Sequence, residues 1–426
     1  MANILSLKVE NFRSYKNQMT FSFEAVDEPQ MEGNYHVVEL KNGKQIRILN
    51  SAVIYGANAA GKSNVILAFS ALADMVKFSK RNDPKRRLKY EPYMFSPTTR
   101  KEPIQFKVQF VADGVVYEYE FAYTDKLFKT ESLRRVDDGV EVFVRKADGK
   151  TIINHIILPD VPDETYLPNH LALSELSLKA DPLIQAIYNE LASVYVYQMT
   201  NGYSRDERED NVAEMLYKDE PGGFLTNMLH DLITSSDTGI AGISITKLKN
   251  STYFAFMIDE EGKYMWPGKY EVSMLHASED GDKVPLKLEK ESAGTQTLFS
   301  AGARVVKALQ HGSFLAYDEM NIALHPLVFR RLVKLFNDKT TNPNNAQLLV
   351  TTHDTVLIDD VLLRADQVWF AEKTNGVTDL YSAIDFDGVS IDQPFGPWYR
   401  AGRLGGRPRL KEGTLGYVGQ YNKTQD

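Results

Sequence analysis

Ser51-Ala52-Val53-Ile54-Tyr55 reads as a buried strand. Val65, Phe69, Leu72 and Val76 behind it recur on one helical face. The pattern predicts strand, loop over 56–63, then amphipathic helix. Around this unit, residues up to about 150 are strand-rich. Ile4 to Phe12 and Met19 to Phe23 look like a hairpin's two strands. Ile104 to Phe110 alternates strictly and runs through Asp113-Gly114 into Val115 to Phe121, a second hairpin. Turns at Asp137-Asp138-Gly139 and Asp148-Gly149 suggest more. From roughly 165 to 235 the period becomes helical, carried by Leu183, Ile187 and Leu191, then Met215, Phe224, Met228 and Leu232. Strand character returns over 243–258. After Glu291 a helix, a strand, a helix and a strand follow, ending near Phe370. No sustained heptads occur, which excludes a long coiled-coil arm.

Composition narrows the class. The chain has 426 residues, a formal net charge of −8 and no cysteine. That length suits one large or two medium domains. Without cysteine there is no disulfide framework, thiolate metal site or cysteine nucleophile. No apolar run is long enough to span a membrane, and the N-terminus lacks a signal-peptide core, so a cytoplasmic location is expected. The acidic balance argues against indiscriminate coating of DNA, though a local basic patch is compatible with it.

The loop carries the most specific chemistry. Gly56-Ala57-Asn58-Ala59-Ala60-Gly61-Lys62-Ser63 fits G-x-x-x-x-G-K-[ST] between a strand and an amphipathic helix, and Asn64 beside it is also expected to bind ATP. Glycines let backbone N–H groups converge on phosphates, and the helix N-terminus adds its positive end. Lys62 is expected to reach the β- and γ-phosphates of ATP, and Ser63 to hold Mg²⁺.

Phe314-Leu315-Ala316-Tyr317-Asp318-Glu319 is an apolar run closed by two carboxylates, 255 positions after Ser63. An aspartate at the end of such a strand lies at the sheet edge beside the phosphates, where it helps hold Mg²⁺. Glu319 is the candidate base that orients and activates water. Ala346 to Thr352 repeats the pattern and ends in His353, a candidate contact for the γ-phosphate or the attacking water; the plain alternative is a cap on the following helix. Just before the acidic strand, Ser292, Gly294 and Gln296 open another helix. With 56–63 already wrapping the nucleotide, this loop is expected to complete a second subunit's site in a head-to-tail dimer. An ordinary N-cap at Ser292 is the competing reading.

These parts resemble the ABC-type ATPase heads of the RecF/SMC superfamily. More narrowly, they are similar to the OLD-related ATPases of prokaryotic antiviral defence modules (RloA-, PtuA- and AriA-like). The resemblance rests on Asn11-Phe12-Arg13-Ser14, the phosphate loop, Glu291 to Phe299, and the run from Phe314 through His325-Pro326 to His353-Asp354. It implies an α/β head with an N-terminal lobe over 1–149, a C-terminal lobe over 289–426 and a mainly helical insertion over 150–288. It implies that Arg13 and Ser14 approach the phosphates and that 321–325 crosses the dimer interface. It also implies a homodimer or higher oligomer, and a separate effector, expected to be a nuclease. A glutamine loop belongs to the superfamily; Gln198 is a candidate in a poor context. The segment at Ser292 departs from Leu-Ser-Gly-Gly-Gln, which puts tight dimer closure in doubt.

Lys77, Lys80, Arg81, Lys85, Arg86, Arg87 and Lys89 crowd into thirteen positions. They are read as a nucleic-acid contact or, more simply, a solvated face. Arg400, Arg403, Arg407, Arg409 and Lys411 form a second cluster with the same two readings. A GTPase is excluded by the missing Asn-Lys-x-Asp, and no nuclease constellation is visible. Two functions stay open: a hydrolysing sensor in a defence or DNA-maintenance complex, and an ATP-gated scaffold whose hydrolysis is incidental.

Overall fold

The computed structural model describes residues 3–146, 148–179, 181–198, 205–219, 223–236, 239–248, 257–258, 264–265 and 270–408. The chain opens with β1 (Asn3–Glu10) and β2 (Met19–Ser22), an antiparallel pair. β3 (Tyr35–Glu39) and β4 (Gln45–Leu49) form a separate ribbon, followed by β5 (Ser51–Tyr55) and α1 (Lys62–Phe78). Six strands come next: β6 (Ile104–Ala112), β7 (Val115–Tyr123), β8 (Phe128–Arg135), β9 (Glu141–Arg145), β10 (Lys150–Ile153) and β11 (Glu164–Thr165). With β1 and β2 they make an eight-stranded sheet in the order β11-β10-β9-β8-β7-β6-β1-β2.

The chain then passes through α2 (Ala172–Leu176), α3 (Pro182–Ala192), β12 (Tyr195–Gln198), α4 (Arg205–Lys218) and α5 (Phe224–Thr234). β13 (Ile240–Lys247), β14 (Met257–Ile258), β15 (Tyr264–Met265), β16 (Tyr270–Ala277) and β17 (Lys283–Lys287) follow. The C-terminal part holds α6 (Ala293–His311), β18 (Phe314–Asp318), α7 (Pro326–Lys334), β19 (Gln347–Thr351), β20 (Val368–Thr374), β21 (Val377–Ser382) and α8 (Gly396–Arg400).

The second large sheet joins both ends of the chain, in the order β12-β18-β19-β5-β20-β21. Its first five strands are parallel and β21 turns back antiparallel. Every residue of β5, β18 and β19 is buried, as expected for parallel strands covered on both faces. Ala52, Ile54, Phe314, Ala316 and Leu349 face α1 and the eight-stranded sheet. Val53, Tyr55, Leu315, Tyr317, Leu348 and Val350 face α6 and its neighbours. α1 therefore lies between two sheets, which is why it buries more than one stripe, Ile66, Ala68 and Ala73 included.

The fold class is the α/β head expected, but the stretch 150–288 is not mainly helical. β10 and β11 extend the eight-stranded sheet beyond the boundary at 149, and β12 enters the parallel sheet. β13, β16 and β17 make a three-stranded antiparallel sheet. Burial explains the mismatch. The helical period comes from α3 and α5, whose Ile187, Leu191, Leu229 and Leu232 are buried, whereas β17 is exposed along its length and carries a proline at its centre, which weakens its strand signal. Among the described residues no helix is long and apolar enough to cross a membrane.

Candidate functional site

The loop from Gly56 to Gly61 joins β5 to α1 and depends on backbone that only small residues allow. Gly56 has φ +156° and Gly61 φ +111°. A Cβ on Gly56 would lie 2.5 Å from the Ala371 carbonyl oxygen; one on Gly61 would lie 2.6 Å from Thr378 Oγ1 and 2.9 Å from Ser14 Oγ. Ala59 also sits at positive φ, 61°. Asn58 and Ala59 are exposed at the loop's crest, whereas Ala60 is buried. Gly61 caps α1 without any side-chain bond, so no side chain competes there for the first helical N–H groups.

Lys62 is buried, and its Nζ donates to the carbonyls of Gly56 (2.9 Å) and Ala57 (3.2 Å). Burial lowers its pKa, opposed by the charges of Glu319 and Asp318. The ammonium is thus curled inside the ring of loop carbonyls, poised for a ligand that carries negative charge.

Ser63 Oγ donates to Asp318 Oδ1 at 3.0 Å. This contact unites the loop and the acidic strand across 255 positions, because β19 alone separates β5 from β18. Thr351, at the end of β19, donates its hydroxyl to the same oxygen and accepts the N–H of Glu319 (2.8 Å). Glu319 has φ 51°, a turn that carries the chain sharply away from β18 and leaves its side chain half-buried. The donor set fits magnesium, a hard cation that takes one hydroxyl and one carboxylate together with phosphate oxygens and water. Ser63 and Asp318 are the residues that would hold it. Among the described residues no group of three or more His, Cys, Asp or Glu forms a protein-only metal cage.

His353 stands two residues beyond β19 and is exposed. It is not the cap of the turn that follows; Asp354 fills that role by accepting the N–H of Val356. Arg13, at φ 53°, is held by Glu91 through Nε (3.1 Å) and Nη2 (2.9 Å), and its Nη1 reaches Asn64 Oδ1 at 3.4 Å. Ser14 is buried; its Oγ accepts from Asn64 Nδ2 (2.7 Å) and from Thr378 Oγ1 (2.8 Å). Thr378 also donates to the Ala60 carbonyl at 2.8 Å. Both family-implied residues therefore stand at the flank of the loop.

Ser292 makes the ordinary cap: its Oγ accepts the N–H of Thr295 at 3.1 Å. Gln296 is buried and its amide donates to the carbonyls of Glu289 and Glu291 of its own chain, so its N–H groups are spent locally. A Cβ on Gly294 would lie 3.0 Å from the Ala323 carbonyl, so this loop packs on the 321–325 segment. The backbone register sets Gln198 beside Asp318 on the adjacent strand; its side chain lies outside the described residues.

The basic run after α1 is divided. Lys77 donates to the Val194 carbonyl and Lys80 to Ser177, while Arg87 pairs with Asp125 and Lys89 with Glu91. Lys85 and Arg86 project into solvent. Of the tail cluster, Arg409 and Lys411 lie outside the described residues. Thr351, Thr378 and Glu91 were not singled out from sequence. Thr351 had one signal, a hydroxyl ending a buried strand beside an acidic strand.

A parallel sheet with a glycine loop on its central strand, a lysine buried in that loop and a serine bonded to a strand-end aspartate defines a P-loop ATPase. The chain belongs to the family described as "AAA domain, putative AbiEii toxin, Type IV TA system", whose match runs over residues 51–359. That span holds the loop, the acidic pair and His353. Among solved structures, the SMC head domain from Thermotoga maritima is similar at 13% identity and a TM-score of 0.43, covering 89% of this chain and 98% of that one. An SmcHead bound to the C-winged helix domain of ScpA gives 14%, 0.44, 89% and 97%. No protein of curated function matches.

Proposed function

We propose that the chain binds and slowly hydrolyses Mg-ATP as the sensor or regulatory subunit of an antiviral defence complex of the OLD-related kind, controlling a separate effector, a nuclease. The observation that carries the ATPase half is the Ser63–Asp318 hydrogen bond, which brings together two motifs 255 positions apart at one sheet edge. The defence half is supported by the family's description, which names a putative toxin of a type IV toxin–antitoxin system.

In this reading Lys62 leaves the Gly56 and Ala57 carbonyls for the β- and γ-phosphates, and the loop amides take the remaining oxygens. Magnesium, when bound, neutralises phosphate charge. Glu319 accepts a proton from the attacking water and orients it, while His353 meets the γ-phosphate from the next strand. Ser292 and the amides around Gly294 from a second copy complete the site. The Gln296 side chain takes no part, because it is committed to its own backbone.

The test is Glu319→Gln. Turnover should disappear, ATP affinity should stay within a few-fold, and protection against phage should be lost. An unaltered protective response would instead support a scaffold for which ATP is structural. Failure of the native protein to bind Mg-ATP would end the reading altogether.

A further inference from the structure

Among the described residues β12 is an edge strand: it pairs with β18 on one side, and the sheet order ends there. Beside it runs a cleft of about 720 Å³ between β12, α4 and the second half of α6. An edge strand offers a row of backbone donors and acceptors to any extended segment that reaches it. Unmodified edges invite indiscriminate pairing, so the side chains around the edge decide what it admits.

Those side chains select for negative charge. Tyr195 is 45% exposed, and a lysine approaches its ring from each face of the sheet: Lys77 from α1 and Lys307 from α6, both 5.7 Å from the ring centroid. Two residues on, the guanidinium of Arg304 stacks 3.9 Å from the centroid of Tyr197. The two carboxylates in the cleft wall are already engaged. Glu214 pairs with Lys218 at 2.8 Å, and Asp219 accepts the N–H of Thr226 at 2.8 Å. Met215 and Leu225 supply an apolar wall opposite the strand. A positively lined edge is unusual on a chain whose net charge is −8, so general electrostatics do not account for it.

We propose that β12 and this cleft dock an extended acidic segment of a second protein, added as a further strand with carboxylates against Lys307 and Arg304. Side chains two apart on a strand share one face, so alternate acidic residues meet Lys307 and Arg304 on the face that α6 covers. The docked strand would run toward Gln198, beside Asp318, so a partner held here reaches the end of the sheet that carries the acidic pair. The inference rests on the sheet edge alone and survives if the nucleotide reading fails.

The probe is a fluorescein-labelled peptide of about eight residues alternating Glu and Val, roughly a typical strand length, titrated against the full chain by anisotropy. It should bind, weaken as salt rises, and weaken about tenfold or more when alternate backbone amides are N-methylated. Lys307→Glu should weaken it about tenfold, Lys307→Arg should retain binding, and a Lys/Val peptide should not bind. The N-methylated peptide tests the edge on native protein even if Lys307→Glu folds poorly. Equal binding of the native and N-methylated peptides, no effect of charge reversal in a folded variant, or no binding at all would each overturn the proposal. So would tighter binding of a single-stranded oligonucleotide that displaces the peptide, since the occupant would then be nucleic acid.

Discussion

Thr351 is the hinge of the acidic pair, and replacing it with valine isolates that role. Its buried hydroxyl donates to Asp318 Oδ1, which also accepts from Ser63, and receives the N–H of Glu319 at 2.8 Å. Valine has nearly the same shape, so packing between β5 and β18 should survive. Two interactions vanish. A hydrogen bond to a charged acceptor is worth about 1.5–3 kcal/mol, and an N–H left without a partner costs about 1–3 kcal/mol. The losses overlap because both act on one turn, which gives about 2–4 kcal/mol of lost restraint. If roughly half of this is felt in the transition state, kcat falls about 5- to 30-fold, at tenfold per 1.4 kcal/mol. ATP affinity should shift less than about threefold, because Lys62 and the loop amides are untouched. Phosphate release at saturating Mg-ATP gives kcat, and displacement of a fluorescent nucleotide gives affinity. Thr351→Ser, which keeps the hydroxyl, should restore most of the rate. A valine variant with native kcat would refute the assignment of the acidic pair as the hydrolytic centre, and so would equal losses in kcat and affinity.

Gly61→Ala should lower ATP affinity at least tenfold and reduce Tm by several degrees. The φ of +111° disfavours any side chain, and its Cβ would collide with Thr378 and Ser14, which brace the loop; affinity within twofold of native would contradict this. Glu190 accepts the Asn3 N–H, and burial pushes its carboxyl up to about 7. Because the folded value lies above the unfolded one, near 4.3, stability is full below about pH 4 and is lost as pH rises toward 7, by about 4 kcal/mol at most. Glu190→Gln should therefore match the native Tm near pH 4 and exceed it at pH 8; a constant difference across that range would rule this out.

The parts of the site written in consecutive residues were legible. A glycine loop with Lys62 and Ser63, and an apolar run closed by Asp318 and Glu319, announce their chemistry locally, because strand, turn and helix are each fixed within a few positions. The Ser63–Asp318 contact could be anticipated because parallel strands deliver their C-terminal ends to a common edge. Thr378, Glu91 and Thr351 were not legible in role. Their significance lies in hydrogen bonds to residues far along the chain, such as Thr378 to Ser14, 364 positions away, and no periodicity encodes such a bond. The same holds for Gln296, which matched a motif by type while its geometry commits it to the Glu289 and Glu291 carbonyls.

The misread middle of the chain follows from the same physics, and its consequence is functional. β12 is four residues long and lies between helices, too short for alternation to outweigh the helical period on either side. Yet this strand sets the width of the parallel sheet and borders Asp318. The three-stranded sheet beyond it is tied to the loop at Ser292, because His276 on β16 bonds Glu291 at 2.6 Å. Glu291 in turn gives its carbonyl to Gln296 in the first turn of α6. Any displacement of that sheet would therefore be transmitted to Ser292 and Gly294 through one hydrogen-bonded contact and one buried amide. Of the contacts between the insertion and the head, the strand beside Asp318 and the bond from His276 to Glu291 border the two halves of the proposed shared site.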